Sequence, residues 1–135
     1  MKISVIIPAY NEESTIADVI KTVKKVPVIN NIIVVSDGST DNTVSIAKNL
    51  DVEVCQLKEN IGKGGAIKKG FEKTDSDILL FLDADLIGLT IDHIHELINP
   101  IIEDKADMSL GIFTQGRLLT DLPQFLMPYL TGQEL

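Results

Sequence analysis

Asp83 and Asp85 stand two positions apart in the segment ILLFLDADL, and both side chains are carboxylates able to share a ligand. In an extended segment, residues i and i+2 project to the same side, so both groups can address one point just past the apolar run. Two hard oxygen donors with no His or Cys nearby suit Mg²⁺ or Mn²⁺, a cation able to bridge to phosphate oxygens. The competing reading is an acidic loop that merely ends a strand, because Asp-x-Asp is a common string.

Asp37 lies in SDGSTDNT, at the end of an apolar run and just before Gly38. A carboxylate only accepts hydrogen bonds, so there it can take the imide N–H of uracil or the amide edge of guanine, whereas cytosine offers no such proton. Alternatively it is a turn carboxylate satisfied by neighbouring backbone amides. The segment NIGKGGAIKKG puts Gly62, Gly64, Gly65 and Lys63 at a helix start. Free amides and the helix dipole attract anions there by about 0.3–1 kcal/mol per charge, enough to favour a diphosphate. The string is neither a Walker A loop, for which Leu57 and Gly64 are wrong, nor a dinucleotide fingerprint, for which Ile67 is wrong. Arg117, the sole arginine, has the planar guanidinium that binds phosphate or carboxylate, although a solvated arginine is the commoner case. Lys68, Lys69, Lys73, His93 and His95 read as surface residues, and Cys55 as a small buried side chain.

These groups need elements to position them. Residues 3–9, 32–36 and 78–82 are short, nearly continuous apolar runs, as in parallel strands covered on both faces. A weaker strand is expected at 52–56 and a fifth at 108–113. Ile16, Val19, Ile20 and Val23 share one helical face with Asn11 as the expected N-cap. A second helix starts near Asp41 and Asn42, a third after the glycines, and a fourth at Thr90 with Ile91, Ile94, Leu97, Ile98 and Ile101 as its stripe. Alternating strand and helix specify a doubly wound α/β sheet. In such a sheet the carboxyl ends of the strands form one rim, where Asp37, Lys63, Asp83 and Asp85 can meet one ligand.

Composition narrows the functional classes. A chain of 135 residues suits one compact domain. Its 20 acidic residues against 12 basic ones leave a formal charge of -8, which repels a nucleic-acid backbone. A single cysteine permits neither an intramolecular disulfide nor a Cys-based zinc site, and a reducing, cytoplasmic setting is expected. The opening apolar run passes straight into Asn11, Glu12 and Glu13, so it reads as a buried strand rather than a leader, and no run is long enough to span a bilayer. The tail, 118–135, carries an apolar stripe broken by Pro123 and Pro128 and is expected to dock on a second copy, giving a homodimer. Association with a membrane surface is a further possibility, though the tail has few of the basic residues that favour anionic headgroups.

In order and spacing, VIIPAYNEE, IIVVSDGSTDNT, NIGKGGAIKKG and ILLFLDADL resemble the N-terminal half of family 2 glycosyltransferases over about residues 3–113. Within that family the sequence looks similar to enzymes of the dolichyl-phosphate mannosyltransferase and glucosyl-3-phosphoglycerate synthase kinds. The resemblance implies a GT-A, Rossmann-like, mostly parallel sheet with helices on both faces. It makes 1–117 a nucleotide-sugar-binding domain and 118–135 the start of a missing or reduced acceptor region. It further implies that Pro8, Ala9, Tyr10 and Glu12 line the nucleotide pocket, Asp37 holds the base and Lys63 lies near the ribose or diphosphate. Asp83 would approach the ribose or metal, and Asp85 would be the principal metal ligand and the catalytic group. Arg117 joins the expected substrate contacts on the chemistry of its guanidinium alone. The implied chemistry moves a sugar from a UDP- or GDP-sugar to an acceptor such as a lipid phosphate or phosphoglycerate, with Mg²⁺ or Mn²⁺. The alternative is a truncated, non-catalytic nucleotide-binding or assembly module. A nucleotidyltransferase is disfavoured because PAYNEE stands where its glycine-rich loop would be.

Overall fold

The structure, a computed structural model, describes residues 2–103, 112–114 and 117–119. Strands β1 (Ile3–Ala9), β2 (Asn31–Asp37), β3 (Glu53–Leu57) and β4 (Ile78–Phe81) alternate with helices α1 (Ile16–Lys24), α2 (Thr43–Asn49), α3 (Lys63–Glu72) and α4 (Ile91–Ile102). The four strands form one parallel sheet in the order β3-β2-β1-β4. Val5 of β1 lies level with Ile32 and Leu80, and Ile6 with Ile33 and Phe81.

This register sorts the apolar runs onto two faces. Val5, Ile7, Ile32, Val34 and Leu80 pack with the buried stripes of α1 and α4 and with Ala47 of α2. Ile6, Ile33, Val35 and Phe81 pack on the opposite face against Ala66 and Ile67 of α3. Covering both faces is why the strands read as unbroken apolar runs, each fully buried isoleucine contributing about 1.5–3 kcal/mol. Helix α3 comes closest at Gly70, where a Cβ would lie 2.5 Å from Ile6 Cγ2. The expected sheet with helices on both faces is therefore present, three on one side and one on the other.

Several local expectations change. Asn11 is not the cap of α1: it has a left-handed φ of 53°, its Oδ1 accepts from the Thr40 amide at 2.8 Å, and Thr15 takes the cap position. Asparagine suits both caps and left-handed turns, and here the turn prevails. Thr90 does cap α4, but His93 completes a capping box by accepting the Thr90 amide on Nδ1, a role beyond that of a surface residue. Cys55 is half-buried at the edge of the core rather than enclosed. The expected fifth strand lies largely outside the described residues. Its described end, β5 (Ile112–Thr114), pairs antiparallel with β6 (Arg117–Leu119) in a separate two-stranded ladder. The tail past Leu119, on which the homodimer expectation rests, is outside the described residues. No described helix is long and apolar enough to cross a membrane.

Candidate functional site

Parallel pairing brings the carboxyl ends of β1, β2 and β4 to one rim, beside the entry to α3. A cavity of about 340 Å³ opens there. Pro8, Ala9, Tyr10 and Glu12 reach it from β1, Asp37 from β2, Asn60, Gly62 and Lys63 from the approach to α3, and Asp83 and Asp85 from the loop after β4. All the site residues expected up to position 85 thus share one cavity. The Arg117 side chain is outside the described residues. Asn60 was not anticipated; its position at the head of NIGKGG is the only trace of it in the sequence.

Asp37 is buried, 4 % exposed, and accepts from the amides of Ile61 at 2.7 Å and Gly62 at 2.9 Å. Asn60 Oδ1 also accepts from Gly62 N at 3.1 Å. Asp37 is thus satisfied by backbone amides, but by those of a loop 24 and 25 positions away and not by neighbours in its own turn, as the turn-carboxylate reading expects.

A second set of bonds joins the segments after β1, β2 and β4. Thr43 Oγ1 donates to Asp41 Oδ1 at 2.5 Å and accepts from the Glu12 amide at 2.9 Å. Thr15 Oγ1 donates to the carbonyl of Ala84, between Asp83 and Asp85, at 2.8 Å, and lies 3.4 Å from Glu12 Oε2. The loops carrying the acidic groups are thereby fixed to one another.

Charge in the cavity is unevenly balanced. Burial, followed by the negative charges of Asp85, Asp41 and Asp83, holds the Glu12 carboxyl above the usual range against the Thr15 hydrogen bond. At Asp41 burial also acts upward, but hydrogen bonds from the Thr43 hydroxyl and amide and the Glu13 amide outweigh it and leave the carboxyl below the usual range. Lys63 Nζ forms an ion pair with Asp83; with the side chains 61 % and 44 % exposed, the pair adds little stability and can open for a ligand.

The donor set fits a hard cation. Asp83 and Asp85 supply only oxygen, and crowding of like charge around Glu12 is what a dication relieves. Among the described residues no group of three or more His, Cys, Asp or Glu side chains is arranged to hold a metal. The two aspartates would hold the ion with phosphate oxygens and water completing its shell, as Mg²⁺ sites commonly do.

A cavity at the carboxyl ends of parallel strands lies where open α/β sheets bind their ligands. Comparison with known proteins gives the family. The model of glycosyl transferase family 2 matches residues 4–123. Protein RfbJ of Shigella flexneri is 35 % identical over 109 residues, covering 81 % of this chain and 83 % of that protein. A dolichyl-phosphate beta-glucosyltransferase of Drosophila melanogaster is 39 % identical over 141 residues, covering 90 % of this chain and 43 % of that protein. The crystal structure of glucosyl-3-phosphoglycerate synthase from Mycobacterium tuberculosis, in complex with Mn²⁺, UDP and glucosyl-3-phosphoglycerate, matches with a TM-score of 0.69 and 32 % identity, over 74 % of this chain and 39 % of that one. The chain spans 46 % of one archaeal relative and 22 % of another, so it corresponds to less than half of many proteins it resembles. The chain belongs to glycosyltransferase family 2 and has its GT-A fold.

Proposed function

We propose that this chain is the donor-binding part of a glycosyltransferase that takes a sugar from a nucleoside diphosphate sugar, UDP being favoured over GDP, with Mg²⁺ or Mn²⁺. The supporting observation is the convergence of Asp37, Lys63, Asp83 and Asp85 on one cavity, from segments far apart in the chain. Preference for UDP draws on the similar M. tuberculosis synthase, whose crystal structure holds UDP and Mn²⁺.

Each group has a part in donor binding. Tyr10, 47 % exposed at the lip, offers a ring face on which a base can stack. Lys63, released from Asp83, places an ammonium beside the diphosphate, and Asp83 turns to the ribose or metal. Asp85 holds the cation, which when bound neutralises charge on the departing diphosphate. The acceptor is proposed to bear a phosphate, as a lipid phosphate or phosphoglycerate does, by analogy with the named relatives.

Calorimetry with UDP, GDP and CDP in the presence of Mn²⁺ tests the reading. UDP should bind most tightly and Asp85→Ala should remove the contribution of Mn²⁺. A folded sample that binds none of them defeats the proposal. Donor turnover that is lost in Asp85→Ala would separate an enzyme from a module that only binds.

A further inference from the structure

Asn60 lines the cavity, and its side chain meets the same amide as Asp37: Gly62 N donates to Asp37 Oδ2 at 2.9 Å and to Asn60 Oδ1 at 3.1 Å. We propose that Asn60 is a specificity-determining residue whose side-chain amide donates to the C4 carbonyl of uracil, while Asp37 accepts the N3 proton beside it. The inference rests on the donor reading above and adds a second base-reading group to it.

Three observations carry it. A backbone amide only donates, so the Asn60 atom facing Gly62 is its oxygen, and both Nδ2 protons remain as donors. Among the described residues those protons have no acceptor. Asp37 has the complementary capacity: Ile61 and Gly62 each occupy one lone pair, one on either oxygen, and acceptor sites remain on both. The shared Gly62 amide sets the two side chains next to each other, an acceptor beside a donor.

Position along the rim selects the C4 edge. At Gly38, just past β2, a Cβ would lie 2.7 Å from the Asn60 amide nitrogen, so residue 60 rests against the end of that strand. Lys63 instead pairs with Asp83 beyond β4, with β1 in between. A nucleotide with its diphosphate at Lys63 and the aspartates lays its base toward β2, and the C4 edge, which points away from the ribose, lies outermost. Uracil presents N3–H beside O4 and guanine N1–H beside O6, so both match the pair. Cytosine and adenine present a bare ring nitrogen beside an amino group, which sets acceptor against acceptor and donor against donor and leaves the site's polar groups unpaired.

The test compares Asn60→Asp and Asn60→Ala with the parent chain. UDP and CDP affinities are measured by calorimetry with Mn²⁺ and read as a ratio, so that the charge added by aspartate cancels. Asn60→Asp keeps an oxygen for the Gly62 amide and replaces the donor with an acceptor. Its UDP-to-CDP ratio should fall about tenfold, through a loss for UDP and a gain for CDP. Asn60→Ala should lower the ratio about fivefold, through UDP alone. A residue that only braces the loop would behave otherwise: Asn60→Asp would match the parent, and Asn60→Ala would weaken both nucleotides equally. Either of those results would overturn the proposal. Should Asn60→Asp not fold, as judged by circular dichroism, the ratio in Asn60→Ala decides. A parent chain that binds UDP no better than CDP would overturn this inference and leave the donor reading standing, whereas one that binds no nucleotide would end both.

Discussion

Thr15 occupies the N-cap position of α1, yet its hydroxyl makes no cap bond and instead donates 2.8 Å to the carbonyl of Ala84, 69 positions away. That carbonyl lies between the two aspartates proposed to hold the cation, so a side chain at the first helix sets the backbone of the loop after β4. Thr15→Val keeps the shape and removes the proton. It should destabilise the chain by about 1–2 kcal/mol in urea unfolding, the usual cost of a buried acceptor losing its donor. Calorimetry should show the Mn²⁺-dependent part of UDP affinity falling severalfold, with Thr15→Ser restoring it.

Asp41 links acid tolerance to the same framework. Its carboxyl is held below the usual range, so its stabilising contribution is complete above the unfolded-state value and disappears as pH falls through the lower folded value. Asp41→Asn should therefore cost about 1 kcal/mol near neutrality, a figure discounted for partial exposure, and the cost should vanish in the acid range below that of an ordinary aspartate. Paired thermal melts from neutral to strongly acidic pH would show whether the two curves converge.

Glu12 has the opposite sign. With its folded value raised, the ionised carboxylate opposes folding at neutral pH, and the penalty is relieved as acid protonates it. Glu12→Gln should raise stability at pH 7 by a few tenths to about 1 kcal/mol, an advantage lost on acidification. If a cation is what reconciles these charges in use, the same variant should bind Mn²⁺ less well. A variant that is less stable at neutral pH would contradict the charge crowding described above.

Gly70 tests the packing of α3. Alanine would ordinarily improve a helix interior by about 1 kcal/mol, but here the added Cβ meets Ile6 Cγ2 at 2.5 Å and Val35 Cγ2 at 3.1 Å. The clash should prevail, with a net loss of about 1–3 kcal/mol in denaturant unfolding. Since α3 carries Lys63 at its first turn, UDP binding should weaken as well.

Much of this arrangement was legible in the residues themselves. β1, β2 and β4 could be read because burial on both faces writes each strand as an unbroken apolar run, and parallel order then places their polar ends on one rim. Thr90 was legible because its side chain caps the residues immediately after it. Thr15 and Asp37 were not, because their partners, Ala84 and the amides of Ile61 and Gly62, are defined by the tertiary fold rather than by neighbouring sequence. Asn11 misled because one residue type serves two backbone geometries. His93 was overlooked because glutamate or glutamine usually fills the third position of a capping box. Strands of three residues such as β5 and β6 are too short to show a period at all.

The strand order β3-β2-β1-β4 also bears on how the protein is made. During synthesis β1 emerges before either of its partners, and its second edge stays bare until Ile78–Phe81 has left the ribosome. A nascent chain halted before that point would present an apolar ribbon open to pairing with other polypeptides. Chaperone access over that interval should therefore raise the yield of folded chain.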